Sequence, residues 1–323
     1  MPDAIYSKIY NQIKISKNIL LATHENPDGD GLSSICLMIE IIESLNQPYS
    51  AYCFDQPPRQ FDFLPSVEKI ISDKTKLNMD NFDLIIVLDC GSSDRTKISD
   101  EIKNRGKSQI VVEIDHHPKI EDYADMELRD PAASSTAEIL YKFLKANKIK
   151  ISKNIANCVL TGILTDTANF LYPSTSQETI QISSEMLSKG AKLPQIMENT
   201  LRNKSLNSMK IWGKAMSRLK INPKYNFAFT VLTLDDVNDN GETANEEELE
   251  GIAGFISNLH NVHGVMLLRE QPDGIIKGSL RTSRHDVDVS RLAQAMGGGG
   301  HAKSSGFKIE GRLERAGDGW IIV

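Results

Sequence analysis

Three short apolar runs, each closing on acid or imidazole side chains, limit what this chain can fold into. Leu20-Leu-Ala-Thr leads into His24-Glu-Asn-Pro-Asp28-Gly-Asp30-Gly31. Asp83-Leu-Ile-Ile-Val-Leu leads into Asp89-Cys-Gly91, and Gln109-Ile-Val-Val-Glu-Ile leads into Asp115-His116-His117. Runs this short and this apolar suit strands covered on both faces. Strand-like runs at 17–23, 50–54, 83–89 and 109–115 alternate with helical patterns at about 31–46, 134–147, 154–164 and 176–189. The alternation predicts an α/β fold with a mainly parallel sheet and helices on both faces. In such sheets ligands bind beyond the carboxyl ends of the strands, where all three polar endings fall.

The chain has 323 residues, more than one core usually organises, so two domains are expected. The first is read as 1–193, followed by a helical linker over 194–222. The remainder, 223–323, reads as a smaller α/β domain, with strands near 226–234, 265–268, 275–280 and 306–309 and helices near 244–260 and 288–296. A net charge of −6 excludes an extended non-specific footprint on long duplex DNA, which needs a basic face. No apolar run reaches the roughly 20 residues of a membrane span, and the N-terminus shows no signal core. Cys36, Cys53, Cys90 and Cys158 lack paired or zinc-type spacing, so reduced thiols and a cytoplasmic protein are expected.

Taken singly, each polar ending has an ordinary explanation. A lone histidine at a strand end is usually structural, and Asp-x-Asp before glycine is usually a turn. Jointly they suggest a site for two divalent cations. Asp28 and Asp30, two residues apart in a glycine-flanked loop, can address different cations, and His24 can reach the first. Asp89 ends an otherwise apolar strand and is the natural bridging ligand. His116 supplies nitrogen to the second cation, while His117 is expected to point the other way, towards phosphate. Asp115 is expected to orient the neighbouring loop or a ligand imidazole. Asp166, a lone acid after the apolar turn Thr161-Gly-Ile-Leu-Thr, is the last expected ligand, since burying it unpaired would be costly. Oxygen and nitrogen donors without thiolate favour Mn²⁺, with Mg²⁺ or Co²⁺ also compatible. Cys90 is read as a packed thiol.

Late in the chain, Met296-Gly-Gly-Gly-Gly-His301-Ala-Lys303 lies in a stretch with six bases (277–308) against Asp286 and Asp288. Gly298, Gly299 and Gly300 can present backbone N–H groups to phosphate. His301 and Lys303 add donors, Arg281 can clamp phosphate with its fork, and Ser283 adds a hydroxyl. By contrast, residues 235–250 hold eight acids and no base, and read as a solvated loop and helix start. Phe170 and Tyr172, just after Asp166, are weak candidates for base stacking.

The segments His24-Glu-Asn-Pro-Asp-Gly-Asp30, Val87-Leu-Asp89, Asp115-His-His117, Thr165-Asp166-Thr and Gly298-Gly-Gly-His301, in this order, resemble the DHH/DHHA1 phosphoesterase family over nearly the whole chain. The resemblance implies a DHH catalytic domain, a DHHA1 substrate-binding domain and an active site in the cleft between them. It implies one cation held by His24, Asp28 and Asp89, a second held by Asp30, Asp89, His116 and Asp166, and substrate phosphate held by His117, Arg281 and His301. Asp89, His117 and Arg281 would take part in catalysis. Gly31-Leu-Ser33-Ser34 stands where the family pattern often has Ala and a later Gly, a change expected to affect helix packing more than ligation. The match is most like the branch acting on very short oligoribonucleotides and on 3′-phosphoadenosine-5′-phosphate (pAp). Expected products are 5′-mononucleotides and the phosphate removed from pAp. Alternatives are hydrolysis of pyrophosphate or polyphosphate, or a non-catalytic nucleotide-binding module. The sequence is compatible with a homodimer and does not fix the oligomeric state.

Overall fold

A computed structural model describes every residue except 1, 240, 241, 244, 245, 250 and 318. The chain forms two compact units, Met1–Asn203 and Lys204–Val323.

The first unit is built on six strands: β1 (Ile19–Ala22), β2 (Tyr49–Tyr52), β3 (Ile70–Ile71), β4 (Leu84–Leu88), β5 (Ile110–Asp115) and β6 (Met126–Arg129). They lie in the order β3-β2-β1-β4-β5-β6, and every neighbouring pair is parallel. Its helices are α1 (Pro2–Ile15), α2 (Gly29–Ser44), α3 (Ser99–Lys103), α4 (Thr136–Ala146), α5 (Lys153–Asp166), α6 (Gln177–Ser188) and α7 (Leu193–Thr200). Strand β4 explains why the sheet is covered on both faces. All five residues are buried; Leu84, Ile86 and Leu88 enter one core while Ile85 and Val87 enter the other. After β1 the chain builds outward through β2 and β3, then returns to place β4 on β1's other side. That reversal opens a crevice at the carboxyl ends of β1 and β4, the usual position for a ligand.

Helix α2 carries the Asp-x-Asp motif, and its sequence explains where it starts. Asp28 has extended backbone and is its N-cap, its Oδ1 accepting from the N–H groups of Asp30 (3.1 Å) and Gly31 (3.0 Å). The motif was expected in a loop, but Gly29, Asp30 and Gly31 form the first turn of the helix. Packing between α2 and α5 needs Gly162, because a Cβ there would meet the Ala137 Cβ and the Asp30 Oδ1 at 2.5 Å each. The same Cβ would stand 3.5 Å from the Ser33 Cβ. The hydroxyls of Ser33 and Ser34 are buried without a hydrogen-bond partner.

The second unit opens with α8 (Leu206–Ser217), β7 (Lys220–Asn222) and β8 (Phe227–Leu232), then α9 (Leu234–Val237) and the short pair β9 (Asn238–Asp239) and β10 (Glu242–Thr243). Then come α10 (Glu246–Leu249), α11 (Ile252–Ile256), β11 (Gly264–Glu270), β12 (Ile275–Arg281), α12 (Ser290–Ala295), β13 (Gly299–Gly300), β14 (Ser304–Glu310), β15 (Leu313–Ala316) and β16 (Gly319–Ile322). The main sheet runs β13-β14-β12-β11-β8-β7; β11 is parallel to β8 and the other pairs are antiparallel.

Two sequence expectations change here. The helical linker expected over 194–222 holds two helices that serve different cores: Ile196 of α7 is buried in the first unit, Ile211 and Ala215 of α8 in the second. The single helix expected over 244–260 is two, with Gly251 between them at φ +87°. The acidic stretch 235–250 includes 240, 241, 244, 245 and 250, which lie outside the described residues.

Candidate metal centre and substrate loop

Just beyond β1, His24 is 2% exposed. Its Nδ1 lies 2.7 Å from the Glu25 carbonyl, which can only accept, so Nδ1 carries the proton. That leaves Nε2 facing the carboxylates, 3.6 Å from Asp28 Oδ1 and 3.9 Å from Asp89 Oδ2. Gly31 keeps this approach clear, since a Cβ there would sit 3.0 Å from His24 Nε2. Beyond β4, Asp89 adopts the left-handed conformation at φ +58°, turning its carboxylate off the strand line. Its Oδ1 accepts from the Thr136 hydroxyl at 2.8 Å. The same oxygen lies 3.5 Å from His116 Nε2 and 3.6 Å from His117 Nδ1. His116 Nε2 is also 3.6 Å from Asp166 Oδ2, at the last residue of α5. Asp30 is held by the N-terminus of α4, accepting from Thr136 N (2.6 Å) and Ala137 N (3.0 Å).

Three groups of potential metal donors result, with atoms in each within 4.8 Å of one another: His24, Asp28 and Asp89; Asp89, His116 and His117; and Asp30, His116 and Asp166. Asp89 joins the first two groups and His116 joins the last two. All six expected ligands are brought together, with His117 added. From the sequence, His117 is expected to point away from this cluster. Its ring instead meets the His116 ring edge-on at 4.6 Å, and both histidines face the same oxygen of Asp89. The reason is local: β5 ends at Asp115, so the alternation of a strand no longer separates the two side chains. Asp115 does support an imidazole, and it is that of His117. Its Oδ1 accepts from His117 N (2.8 Å) and Nδ1 (2.7 Å), and its Oδ2 from Gly91 N (2.5 Å).

The electrostatics are those of acids crowded beyond their comfort. Burial and the neighbouring Asp30, Asp28, Asp115 and Asp166 push Asp89 well above the usual carboxylate range. Burial, with Asp28 beside it, raises Asp30 to about 6, although His116 and the α4 amides oppose the rise. Burial raises Asp166 to about 8, with Asp30 and Asp28 adding to it against His116. Desolvation opposes the charge on Asp28, whose side chain is half exposed, but His24, the Gly31 N–H and Arg95 outweigh it and hold that carboxyl low. Burial acts against the charge on His116, yet the surrounding acids win and raise it. A compact set of oxygen and nitrogen donors whose acids repel one another fits hard divalent cations. The nearby thiol does not compete: Cys90 is fully buried and its Sγ donates to the Leu88 carbonyl.

Sequence reasoning missed Thr136 and the α4 amides. Within Ser134-Ser-Thr136-Ala-Glu138, Ser135 caps the start of α4. Nothing local shows that the same turn reaches acids 47 and 106 residues away.

In the second unit, Arg281 ends β12 opposite Ser304 of β14, and Gly300 of β13 pairs with Ser305 on that strand's other side. Arg281 and the Gly298–His301 loop thus share one end of this sheet. Gly299, Gly300, His301 and Ser283 are exposed. Lys303, expected to face phosphate, instead donates to the carbonyls of Arg284 (2.6 Å), His285 (3.0 Å) and Val287 (2.7 Å). It organises the loop. His263 Nδ1 lies 3.0 Å from the Tyr225 carbonyl.

The strand order, the convergent acids and the late glycine–histidine loop agree with what the chain matches. Residues 18–163 match the N-terminal domain of the DHH family and residues 225–318 match the DHHA1 domain. The chain belongs to the DHH/DHHA1 phosphoesterase family. It is 28% identical to the bifunctional oligoribonuclease and PAP phosphatase NrnA of Thermus thermophilus, over 91% of this chain and 84% of that one. It is 24% identical to the protein of the same description from Bacillus subtilis, over 94% and 93%. Its fold is similar to the crystal structure of an exopolyphosphatase-related protein from Bacteroides fragilis, with a TM-score of 0.85 and 26% identity over 95% and 91% of the two chains.

Proposed function

We propose that this protein is a divalent-metal-dependent phosphoesterase that hydrolyses very short oligoribonucleotides to 5′-mononucleotides and removes the 3′-phosphate of pAp. One observation carries the reading: overlapping donor groups share Asp89 and His116, the arrangement that two adjacent cations require. His24, Asp28 and Asp89 would hold one cation; Asp30, Asp89, His116 and Asp166 would hold the other. Mn²⁺ is the favoured ion, with Mg²⁺ or Co²⁺ compatible. When bound, such a pair supplies Lewis acidity and a more acidic attacking water. His117, oriented by Asp115, would stabilise negative charge developing on the phosphoryl oxygens. Arg281, Ser283, His301 and the N–H groups of Gly298, Gly299 and Gly300 would hold substrate phosphate, with Arg281 offsetting charge. The relatives described as oligoribonuclease and PAP phosphatase support this substrate class.

Among the described residues no helix is long and apolar enough to cross a membrane, and all four cysteines are free and buried. Both are consistent with our reading of a cytoplasmic enzyme. Hydrolysis of inorganic pyrophosphate or polyphosphate is the second reading, favoured by the likeness to a protein described as exopolyphosphatase-related. Mass spectrometry of products from purified protein with Mn²⁺, given pAp, pApA, short RNAs of graded length and pyrophosphate, separates the two. AMP from pAp and mononucleotides from pApA are expected. Turnover of pyrophosphate alone would replace the proposal with the second reading, and no turnover of any substrate would reject both.

A further inference from the structure

Behind the candidate centre, between β5 and the edge strand β6, lies a chain of buried polar groups that neither motif nor charge pattern announced. Its hub is Arg129, the last residue of β6, whose side chain is 7% exposed. A guanidinium taken out of water is costly unless its partners are well placed. Here they surround it. Nη2 forms an ion pair with Glu113 Oε2, a carboxylate 1% exposed, at 2.6 Å but without the alignment of a hydrogen bond, and Nε donates to Glu127 Oε1 at 2.6 Å. Nη1 donates to the backbone carbonyl of His117 and stands 3.7 Å from Asp115 Oδ2. Glu113 is fixed in turn by the Tyr123 hydroxyl, which donates to its Oε1 at 2.6 Å.

We propose that Arg129 is a positioning residue for the reaction, setting the orientation of the His117 imidazole from behind. The inference rests on the assignment of His117 to the substrate's phosphoryl group. His117 is gripped at three points: its N–H and Nδ1 by Asp115, and its carbonyl by Arg129. Asp115 stands opposite Arg129 in the β5–β6 register, so one guanidinium braces both the carboxylate and the carbonyl that frame the ring. The carbonyl and the Asp115 carboxylate can only accept, so Arg129 supplies the donors this corner lacks. The planar fork reaches Glu113, Glu127 and His117 at once, which a lysine ammonium cannot do. Because Arg129 lies behind the imidazole, its loss should change where His117 points more than how substrate is held.

The test uses the full chain in two forms. Arg129→Met removes the hub. Glu113→Gln with Arg129→Met removes both members of the buried pair, leaving no unpaired charge from it, and serves if the single variant fails to fold. Expected for whichever form folds is a roughly 10–100-fold loss in kcat on pAp with Mn²⁺, the size seen when partners that orient a site are removed, while KM stays within about twofold. The second readout is the ring signals of ¹⁵N-labelled His117 at fixed pH in Mg²⁺, assigned by their loss in His117→Asn. They should shift in the variant, as a ring freed from its Asp115 frame would. A folded variant whose His117 signals match the wild type overturns the proposal whatever its turnover, and so does kcat within twofold of wild type. If wild-type protein cleaves neither pAp nor dinucleotides, the functional reading fails by itself, and the His117 signals still decide whether Arg129 sets the ring.

Discussion

The two units handle polar chemistry in opposite ways. In the first, every strand of the sheet runs the same way, so residues far apart in sequence are delivered to one edge: His24 after β1, Asp89 after β4, His116 and His117 after β5. Asp30 and Asp89 are buried, and the N-termini of α2 and α4 hold Asp28 and Asp30 respectively. In the second, the sheet is mixed, and the expected phosphate-holding residues sit on neighbouring strand ends and a glycine loop, with Arg281 and Gly298 half-buried and Ser283, Gly299, Gly300 and His301 exposed. Burial makes the first unit demanding of each side chain. Exposure makes the second one tolerant, with interactions weakened by water.

The sharpest test of that contrast is loss of the shared acid. Asp89→Ala should lower kcat on pAp by at least about 1000-fold at saturating Mn²⁺, because it removes the ligand common to two donor groups, a loss on the scale of a key transition-state group. Turnover within about tenfold of wild type would sink the metal assignment. In the second unit, Arg281→Ala and His301→Ala should each cost about 10–100-fold in kcat/KM, as expected for one charge-assisted hydrogen bond of roughly 1.5–3 kcal/mol, mostly through KM. If either change matched Asp89→Ala in kcat, the division of labour between the units would be wrong.

A third prediction concerns protons. In the metal-free fold Asp30 titrates at about 6 and Asp166 at about 8, both above the ordinary 3.8. The folded chain therefore keeps protons that the unfolded chain has released, so metal-free stability falls as pH climbs from about 4 towards 8. Cation binding must expel those protons, so Mn²⁺ affinity should rise across pH 6 to 8 with proton release. Calorimetry in buffers of different ionisation heat measures this directly; binding that is flat with pH and releases no protons would contradict it. Asp115 is lowered to about 2, where burial is outweighed by its bonds from His117 and Gly91, so its contribution is lost only in strong acid.

The smallest effects separate two glycines by melting temperature. Gly162→Ala should destabilise by roughly 1–3 kcal/mol, since the new Cβ overpacks a full interface. Gly299→Ala should stay within about 0.5 kcal/mol, as for an unconstrained surface site, because nothing lies within 4 Å of a Cβ there. Equal shifts would erase the contrast between a packed unit and an open loop.

Much of the first unit was legible in the chain because hydrophobic period and length alone separate buried strands from helices. The strands and helices that were expected there lie close to their observed ranges, and the six expected ligands were visible as polar residues ending apolar runs, but α1, α3, β3 and β6 were not foreseen. The second unit was harder to read. Its helices are short, Gly251 interrupts one of them, and Lys303 looked like an anion donor because sequence shows a charge without showing which carbonyls it faces.

The sequence by itself determined which residue types stand at the strand ends, and hence a donor set suited to hard cations. Only the tertiary structure decided how they meet. The return of the chain to place β4 beside β1 brought Asp89 to His24. The left-handed turn at Asp89 aimed its oxygen at both His116 and His117. The start of α4 delivered Thr136 to Asp89 and two amides to Asp30, and the end of β6 placed Arg129 behind His117. These contacts depend on strand order and register, which long-range packing sets and no local pattern encodes.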